Sequence, residues 1–529
     1  MFRILVADEL GQAGLERLKQ AEDASFDMMT GLDKETLLGI VPAYEALIVR
    51  SGTQVDADVL QAGSKLRVVG RAGVGVDNID IPAASRMGII VMNTPGANSI
   101  ATAEQAMTLM QAISRHTASA HASLKAGEWK RAAFVGTELY GKTLGLVGCG
   151  RVGRLVAERA LAFGMEVLAY DPFVSEEVAL ELGVTLVDLE DLLPEADYIS
   201  LHTALLPETE SMINAESISL MKEGVIIVNA ARGKLIDDDA LAGGLKSGKV
   251  RAAAIDVYRQ EPPSADNPLL GLPNVLHTPH LGASTTESQH KVATQIADQV
   301  LAALRGTDFA NALNMPFQIS EGNFGKIQPF MKLAEKLGAL HAGLANKQVR
   351  HVEVEVQGDE VRGLVRAIAA AILIGLLRDR VDVPINYINA PVLAEEHGIT
   401  INQARGIKKL DYPNLITCRA SWDGGERTLG GVLFGGSEPR IVQVDQYRLE
   451  ARPEGVVLML KNQDVPGVIG QVGTMLAEYK VNIAEWRLGR NEPGGEALSF
   501  INLDSEPPTA VLEALAEVEA VTRVKVAVL

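Results

Sequence analysis

Leu146-Val147-Gly148-Cys149-Gly150-Arg151-Val152-Gly153, followed by Ala169-Tyr170-Asp171, is the stretch that decides the fold. It reads as an apolar strand, a turn spelled G-x-G-x-x-G, a helix, and a second strand ending in an acid 18 residues after Gly153, which is a dinucleotide-binding layout. Gly148 permits the tight turn, Gly150 lets the backbone approach a pyrophosphate, and Gly153 lets the helix pack close to the strand. The helix N-terminus offers N–H donors to the anion. Asp171 is placed to accept from the adenosine ribose hydroxyls and to repel a 2′-phosphate, which selects NAD over NADP. A bare G-x-G-x-x-G is weak in a chain with 50 glycines; here β-compatible Thr143–Val147, helical Gly153–Phe163 and strand-like Glu166–Tyr170 bracket it.

Working outward, 529 residues exceed one hydrophobic core and suggest three or four units. A net charge of −18 argues against a nucleic-acid surface, so a small anionic substrate has to be drawn in by local arginines. Cys149 and Cys418 lie far apart and form no ligand spacing, as expected in a reducing compartment. Met1-Phe-Arg-Ile-Leu-Val-Ala-Asp8 begins a strand at once, with no charged or apolar leader, so the expected location is the cytoplasm. The most apolar run, Ala367–Leu377, is 11 residues between Arg366 and Arg378, short of the ~18 needed to span a bilayer, and reads as a buried core helix. No membrane partner is expected.

The first hundred residues alternate short apolar strands (Ile4–Ala7, Ala46–Val49, Leu66–Gly70, Gly88–Val91) with helical stretches (Gly14–Gln20, Asp56–Ala62), a parallel α/β pattern. A long helix is expected from Ser99 to about His116. Further strands follow the glycine motif at Asp197–His202, Val225–Ala230, Ala252–Val257 and Asn274–Thr278, each ending in polar or glycine-rich loops. A helix from near Thr285 to Gly306 could return the chain to the first sheet, making the first domain discontinuous, with the active site in the cleft between the two. Beyond Pro316 come helix Lys326–Ala345, strand Val352–Val356, the apolar helix, and strands around Gly430–Gly436. From Gly455 the order is βαββαβ: Val456–Lys461, Val468–Glu478, Val481–Leu488, Ala497–Leu503, Ala510–Ala516, Val521–Val528, a ferredoxin-like unit.

Oxidising an alcohol with a nicotinamide requires a base, a cation for the substrate carboxylate, and a dry cleft. Three strand ends supply candidates. Val228-Asn-Ala-Ala-Arg232-Gly233 presents a guanidinium fork suited to a carboxylate, though a lone arginine is more often a structural ion pair. Asp256-Val-Tyr-Arg-Gln-Glu261-Pro-Pro263 presents an acid that, alone, reads as a solvated loop residue. Thr278-Pro-His280-Leu-Gly-Ala-Ser284 presents an imidazole, the natural base near neutral pH. Paired with a carboxylate, His280 is fixed in one tautomer and its charged form stabilised. His277 and His280 have H-x-x-H spacing, but no cysteine or acid completes a set, and no metal is expected.

Asn229-Ala-Ala-Arg232-Gly233, Asp256-Val-Tyr-x-x-Glu261-Pro262 and Pro279-His280-Leu-Gly, downstream of the glycine motif, resemble the NAD-dependent D-2-hydroxyacid dehydrogenase family. Val49-Arg50-Ser51, Gly70-Arg71-Ala-Gly-Val-Gly-Val-Asp-Asn78, Asn93-Thr-Pro and the long C-terminal extension are similar to its branch acting on 3-phosphoglycerate. The resemblance spans essentially the whole chain. It implies an α/β fold, with a Rossmann-like NAD domain (98–284) inserted in a flavodoxin-like substrate domain (1–97 and 285–315). An intervening α+β domain (316–453) and a ferredoxin-like ACT domain (454–529) would follow.

The implied reaction is oxidation of 3-phosphoglycerate to 3-phosphohydroxypyruvate, the first step of serine synthesis. Arg232, Glu261 and His280 match the family's catalytic arginine, glutamate and histidine. Arg50, Ser51, Arg71, Asn98 and Arg131 match substrate positions, with Arg131 reaching a neighbouring subunit's site or lying idle on the surface. Gly148, Gly150, Arg151, Val152, Gly153, Asp171, Thr203, Ala230, Asp256 and Gly282 match NAD contacts. In the ACT-like unit, Asp464 and Asn482 would hold an L-serine effector, within a homodimer or homotetramer. Reduction of another 2-oxoacid, and a non-enzymatic NADH-sensing scaffold, are the alternatives.

Overall fold

The computed structural model describes residues 1–318, 322–405 and 412–529. They form two compact units, one of residues 1–10, 15–93 and 296–529, the other of 11–14 and 94–295.

The first unit opens with β1 (Phe2–Val6), β2 (Ala24–Met28), β3 (Ala46–Val49), β4 (Val68–Arg71) and β5 (Ile90–Asn93), an all-parallel sheet in the order β2-β1-β3-β4-β5. That order is flavodoxin-like. The inner strands are legible as continuous apolar runs because both faces are covered: Leu5, Val6, Leu47, Ile48 and Val49 have almost no exposed surface. The sequence reading overlooks β2. It is an edge strand, Ala-Ser-Phe-Asp-Met, in which Ser25 and Asp27 are polar, and Asp27 accepts from the Tyr44 hydroxyl at 2.8 Å and from Arg3 at 3.1 Å.

In the second unit β6 (Thr143–Val147), β7 (Glu166–Tyr170), β8 (Thr185–Leu186), β9 (Tyr198–Leu201), β10 (Val225–Asn229), β11 (Val250–Ile255) and β12 (Val275–His277) form one parallel sheet. Its order, β12-β11-β10-β9-β6-β7-β8, is the doubly wound Rossmann arrangement, with the strand order reversing between β6 and β9. The helix expected to reach His116 stops at Ser114. His116 adopts the left-handed conformation (φ 53°), and a separate helix, Thr117–Lys125, starts there.

The rest of the first unit carries β13 (Val349–Gln357), β14 (Thr400–Arg405), β15 (Leu415–Trp422), β16 (Gly425–Phe434), β17 (Glu438–Val444) and β18 (Tyr447–Ala451), in the order β14-β13-β15-β16-β17-β18. Helices Phe324–Leu344 and Val365–Leu377 pack together on it, and two glycines let them touch: a Cβ on Gly338 would strike the Ile372 carbonyl, and one on Gly375 the Glu335 carbonyl. The apolar run is buried along its length, as a core helix. β19 (Val456–Gln463), β20 (Ile483–Arg490), β21 (Glu496–Leu503) and β22 (Val521–Val528) form an antiparallel sheet ordered β20-β21-β19-β22. One face holds Leu458, Leu460 and Ile501 against Val472, Leu476 and Val511 of its own helices. The other gives Val457, Met459, Leu498 and Phe500 to the same core as helix Phe324–Leu344, so the two C-terminal sheets share apolar packing.

His341 lies inside that core, 1% exposed, with Nε2 3.1 Å from the Cys418 carbonyl. Burial pushes its pKa down to about 4, against a smaller upward effect of the carbonyl. The folded chain thus keeps it neutral while the unfolded chain protonates it near 6.5. Its contribution is therefore intact above pH 6.5 and lost as pH falls toward 4, at about 1.4 kcal/mol per pH unit. We expect His341→Gln, which keeps an N–H for the carbonyl, to flatten the fall in thermal midpoint between pH 6.5 and 4.5. An unchanged slope would exclude His341 as a source of acid lability.

Candidate active site

At the reversal between β6 and β9, Gly148 has φ 96°, and a Cβ there would lie 2.7 Å from the His202 carbonyl and 2.8 Å from the Thr203 amide. A side chain on Gly153 would collide with the Gly148 carbonyl, whereas a Cβ on Gly150 would meet open space. Helix Arg151–Ala162 begins at once, with Gly150 as its N-cap and no side chain capping it. A turn too tight for side chains, an open approach at Gly150 and uncapped helix amides fit a dinucleotide pyrophosphate. Arg151 is exposed and Val152 half-buried at this helix start. Asp171, at the end of β7, accepts from the Cys149 N–H at 2.8 Å and the Phe173 N–H at 2.9 Å, so it also clasps the glycine turn.

The three later strand ends build the candidate chemical site. After β10, Asn229 is buried; its Oδ1 accepts from the Ala231 N–H at 3.0 Å and its Nδ2 donates to the Arg232 carbonyl at 2.9 Å, shaping the loop that presents Arg232. Gly233 lies so close to the next loop that a Cβ would collide with the Tyr258 carbonyl. In that loop Glu261 Oε1 accepts from the Tyr258 N–H at 3.0 Å, and Oε2 is 2.6 Å from His280 Nδ1. Burial alone would raise the Glu261 pKa; the hydrogen bonds from His280 and Tyr258, helped by the charges of His280 and Arg232, outweigh it and hold the carboxyl below its ordinary value. An ionised Glu261 makes Nδ1 the protonated nitrogen and leaves Nε2 as the acceptor.

His280 has φ 53°, a left-handed conformation that a residue with a side chain rarely adopts. Asp256 imposes it. Its carbonyl accepts from the His280 N–H at 2.8 Å, and its carboxylate accepts from Thr278 Oγ1 at 2.5 Å, Leu281 N–H at 2.8 Å and Gly282 N–H at 2.9 Å. Asp256 and Gly282, expected as cofactor contacts, also have a part in the fold: Asp256 has no exposed surface and the Gly282 amide donates to its carboxylate. Together they hold the His280 loop. The His277 ring nitrogens face Tyr258 Oη at 3.2 Å and the Leu269 carbonyl at 3.2 Å.

The other expected residues fall as follows. Thr203 is half-buried beside Gly148 and Ala230 is buried at the end of β10. Asn98 is the N-cap of helix Ser99–Ser114, with a side chain that makes no capping bond. Arg131 is exposed at the start of a short 3-10 turn. In the first unit, Arg50 and Ser51 follow β3 and Arg71 ends β4. In the last sheet unit, Asp464 binds Arg490 at 2.8 Å and the Gly494 N–H at 3.2 Å, while Asn482 donates to Asp504 at 2.6 Å, so both carry intrachain partners. Sequence reading missed the structural roles of Asn229 and Asp256, although both stand inside the quoted motifs; an acid directly ending a buried strand was the available signal.

The Rossmann sheet, glycine turn and carboxylate–imidazole pair are those of an NAD-dependent oxidoreductase of the D-2-hydroxyacid dehydrogenase class. Residues 107–282 match the D-isomer specific 2-hydroxyacid dehydrogenase NAD binding domain, residues 326–445 the D-3-phosphoglycerate dehydrogenase intervening domain, and residues 456–520 the ACT domain. D-3-phosphoglycerate dehydrogenase of Methanocaldococcus jannaschii is 44% identical over 99% of both chains. That of Synechocystis is 41% identical over 98% of this chain and 94% of the relative. A crystal structure of D-lactate dehydrogenase from Aquifex aeolicus complexed with NAD and lactic acid is 29% identical, covering 58% of this chain and 96% of that one with a TM-score of 0.53. The chain belongs to the D-3-phosphoglycerate dehydrogenase family. Among the described residues no helix is long and apolar enough to cross a membrane.

Proposed function

We propose that Arg232, Glu261 and His280 carry the chemistry of this chain, whose reaction is the NAD-dependent oxidation of 3-phospho-D-glycerate to 3-phosphohydroxypyruvate, the first step of serine synthesis. The observation that carries the proposal is the 2.6 Å contact between Glu261 and His280 Nδ1. His280 Nε2 takes the C2 hydroxyl proton, Glu261 stabilises the imidazolium that results, and Arg232 binds the carboxylate and the C2 oxygen. Bound NAD would supply the hydride acceptor for C2. The glycine turn and the uncapped helix start would hold its pyrophosphate, and Asp171 would hold the ribose.

Arg50, Ser51, Arg71, Asn98 and Arg131 are assigned to the substrate, whose phosphate demands more cations than a simple hydroxyacid. The substrate-binding part is residues 1–97 and 285–315. The ACT domain takes L-serine, with Asp464 and Asn482 as its contacts, and the enzyme works in the cytoplasm as a homodimer or homotetramer. Full-length coverage of the curated relatives and the ACT match support this reading. The test is kcat/KM for 3-phosphoglycerate, D-lactate and 2-hydroxyglutarate under one set of conditions. The phosphorylated acid should lead by at least about tenfold, the weight of one charge-assisted hydrogen bond. Parity or a preference for either other acid would contradict the substrate assignment.

A further inference from the structure

In the first sheet the strand order reverses between β1 and β3, and in open parallel sheets the crevice beyond such a reversal is where ligands bind. Asp8 lies just beyond β1. Its Oδ2 accepts from the Arg50 N–H at 2.6 Å and the Thr53 N–H at 3.1 Å, and its Oδ1 from the Thr53 hydroxyl at 2.9 Å. From the other side, Asn78 Nδ2 donates to the carbonyls of Arg50 at 2.8 Å and Thr53 at 2.6 Å, and the Asn78 carbonyl accepts from the Val55 N–H at 2.8 Å. Both brackets grip the same two residues and leave Ser51 and Gly52 exposed between them. A Cβ on Gly52 would lie 2.7 Å from Asp8 Oδ1, so the close bracket itself requires glycine there.

We infer that Asp8 and Asn78 are positioning residues that hold Arg50–Thr53 as a ready-formed cradle for the substrate phosphate, an inference resting on the phosphoglycerate reading above. Neither touches the substrate. A four-residue loop carrying an arginine and a serine is costly to order at the moment of binding, and fixing it beforehand removes that cost from the affinity. The three donors around the Asp8 carboxylate also absorb its charge, so that it does not oppose an incoming anion.

The experiment compares Asp8→Ala, Asn78→Ala and Asp8→Asn with the wild type in the full-length enzyme. The alanine variants should raise KM for 3-phosphoglycerate by roughly tenfold, leave kcat within about twofold, and leave the NAD dissociation constant, read by protein fluorescence, unchanged. Asp8→Asn should behave nearly as wild type. Its amide oxygen can receive both backbone N–H groups, and the Thr53 hydroxyl can turn to accept from the amide nitrogen. Unaltered KM in both alanine variants would overturn the inference, as would kcat, KM and NAD affinity deteriorating together, or an Asp8→Asn as damaged as Asp8→Ala. If Asp8→Ala fails to fold, Asn78→Ala decides. Absence of 3-phosphoglycerate turnover by the wild type would overturn the underlying reading instead, and with it the phosphate assignment.

Discussion

Replacing His280 with alanine is expected to lower kcat by about 10²- to 10⁴-fold, the usual contribution of a positioned general base, while NAD still binds. The proposed base function rests on one nitrogen. Nδ1 is taken by Glu261 at 2.6 Å, which leaves Nε2 to receive the substrate proton. The glycine turn and Asp171 belong to a different part of the sheet and make no contact that depends on the imidazole, so nucleotide affinity is expected to survive. Stability should survive too. His280 is 43% exposed, and its strained backbone, with φ 53°, is imposed by Asp256 rather than by the ring. The rate of NADH appearance at 340 nm, measured alongside NAD binding by fluorescence, checks this; wild-type kcat in the variant would remove His280 from the mechanism.

Replacing Arg232 with alanine is expected to have the second-largest effect, a fall of roughly 10²-fold in kcat/KM, because a bidentate carboxylate contact contains two charge-assisted hydrogen bonds of about 1.5 kcal/mol or more each. Both parameters should suffer. In the proposed mechanism the carboxylate is bound in the ground state, so KM rises, and the C2 oxygen is held as its proton leaves, so kcat falls. Arg232→Lys should recover only part of the loss, since an ammonium supplies the charge but not the fork. A lysine variant equal to wild type in steady-state kinetics would show that Arg232 acts as a plain charge. Loss of Arg232 also removes one of the charges that hold the Glu261 carboxyl below its ordinary pKa, so the variant's activity should fall off at a higher pH on the acid limb.

Much of this was readable from the residues, for reasons that differ between elements. The inner strands of the two parallel sheets are buried on both faces, and continuous apolar runs such as Ala46–Val49 or Val225–Asn229 mark them plainly. β2 and β8 escaped because one is an edge strand with polar positions and the other has two residues. β15, β17 and β18 escaped because half their residues face outward, and alternation such as Tyr-Arg-Leu-Glu-Ala is weak over five positions. Within the site, Arg232, Glu261 and His280 stand in short motifs at strand ends, and the chain brings Glu261 and His280 into contact as the spacing suggested. What a motif cannot display is which partner a side chain faces. Asp256 is fully buried and shapes its own loop through bonds no motif displays, and Asp8 acquires meaning only beside Arg50 and Thr53, more than forty residues away.

The central claim is that Glu261 and His280 act as one unit, and a double-mutant cycle of kcat/KM for 3-phosphoglycerate tests it most directly. Wild type, Glu261→Gln, His280→Ala and the double variant are compared at one pH and at saturating NAD. If the carboxylate acts only through the imidazole, Glu261→Gln is costly in the wild-type background and nearly silent once His280 is gone, so the double variant matches His280→Ala. Losses that multiply, with the double variant slower than His280→Ala by the full Glu261→Gln factor, would contradict the pair and assign Glu261 an independent role.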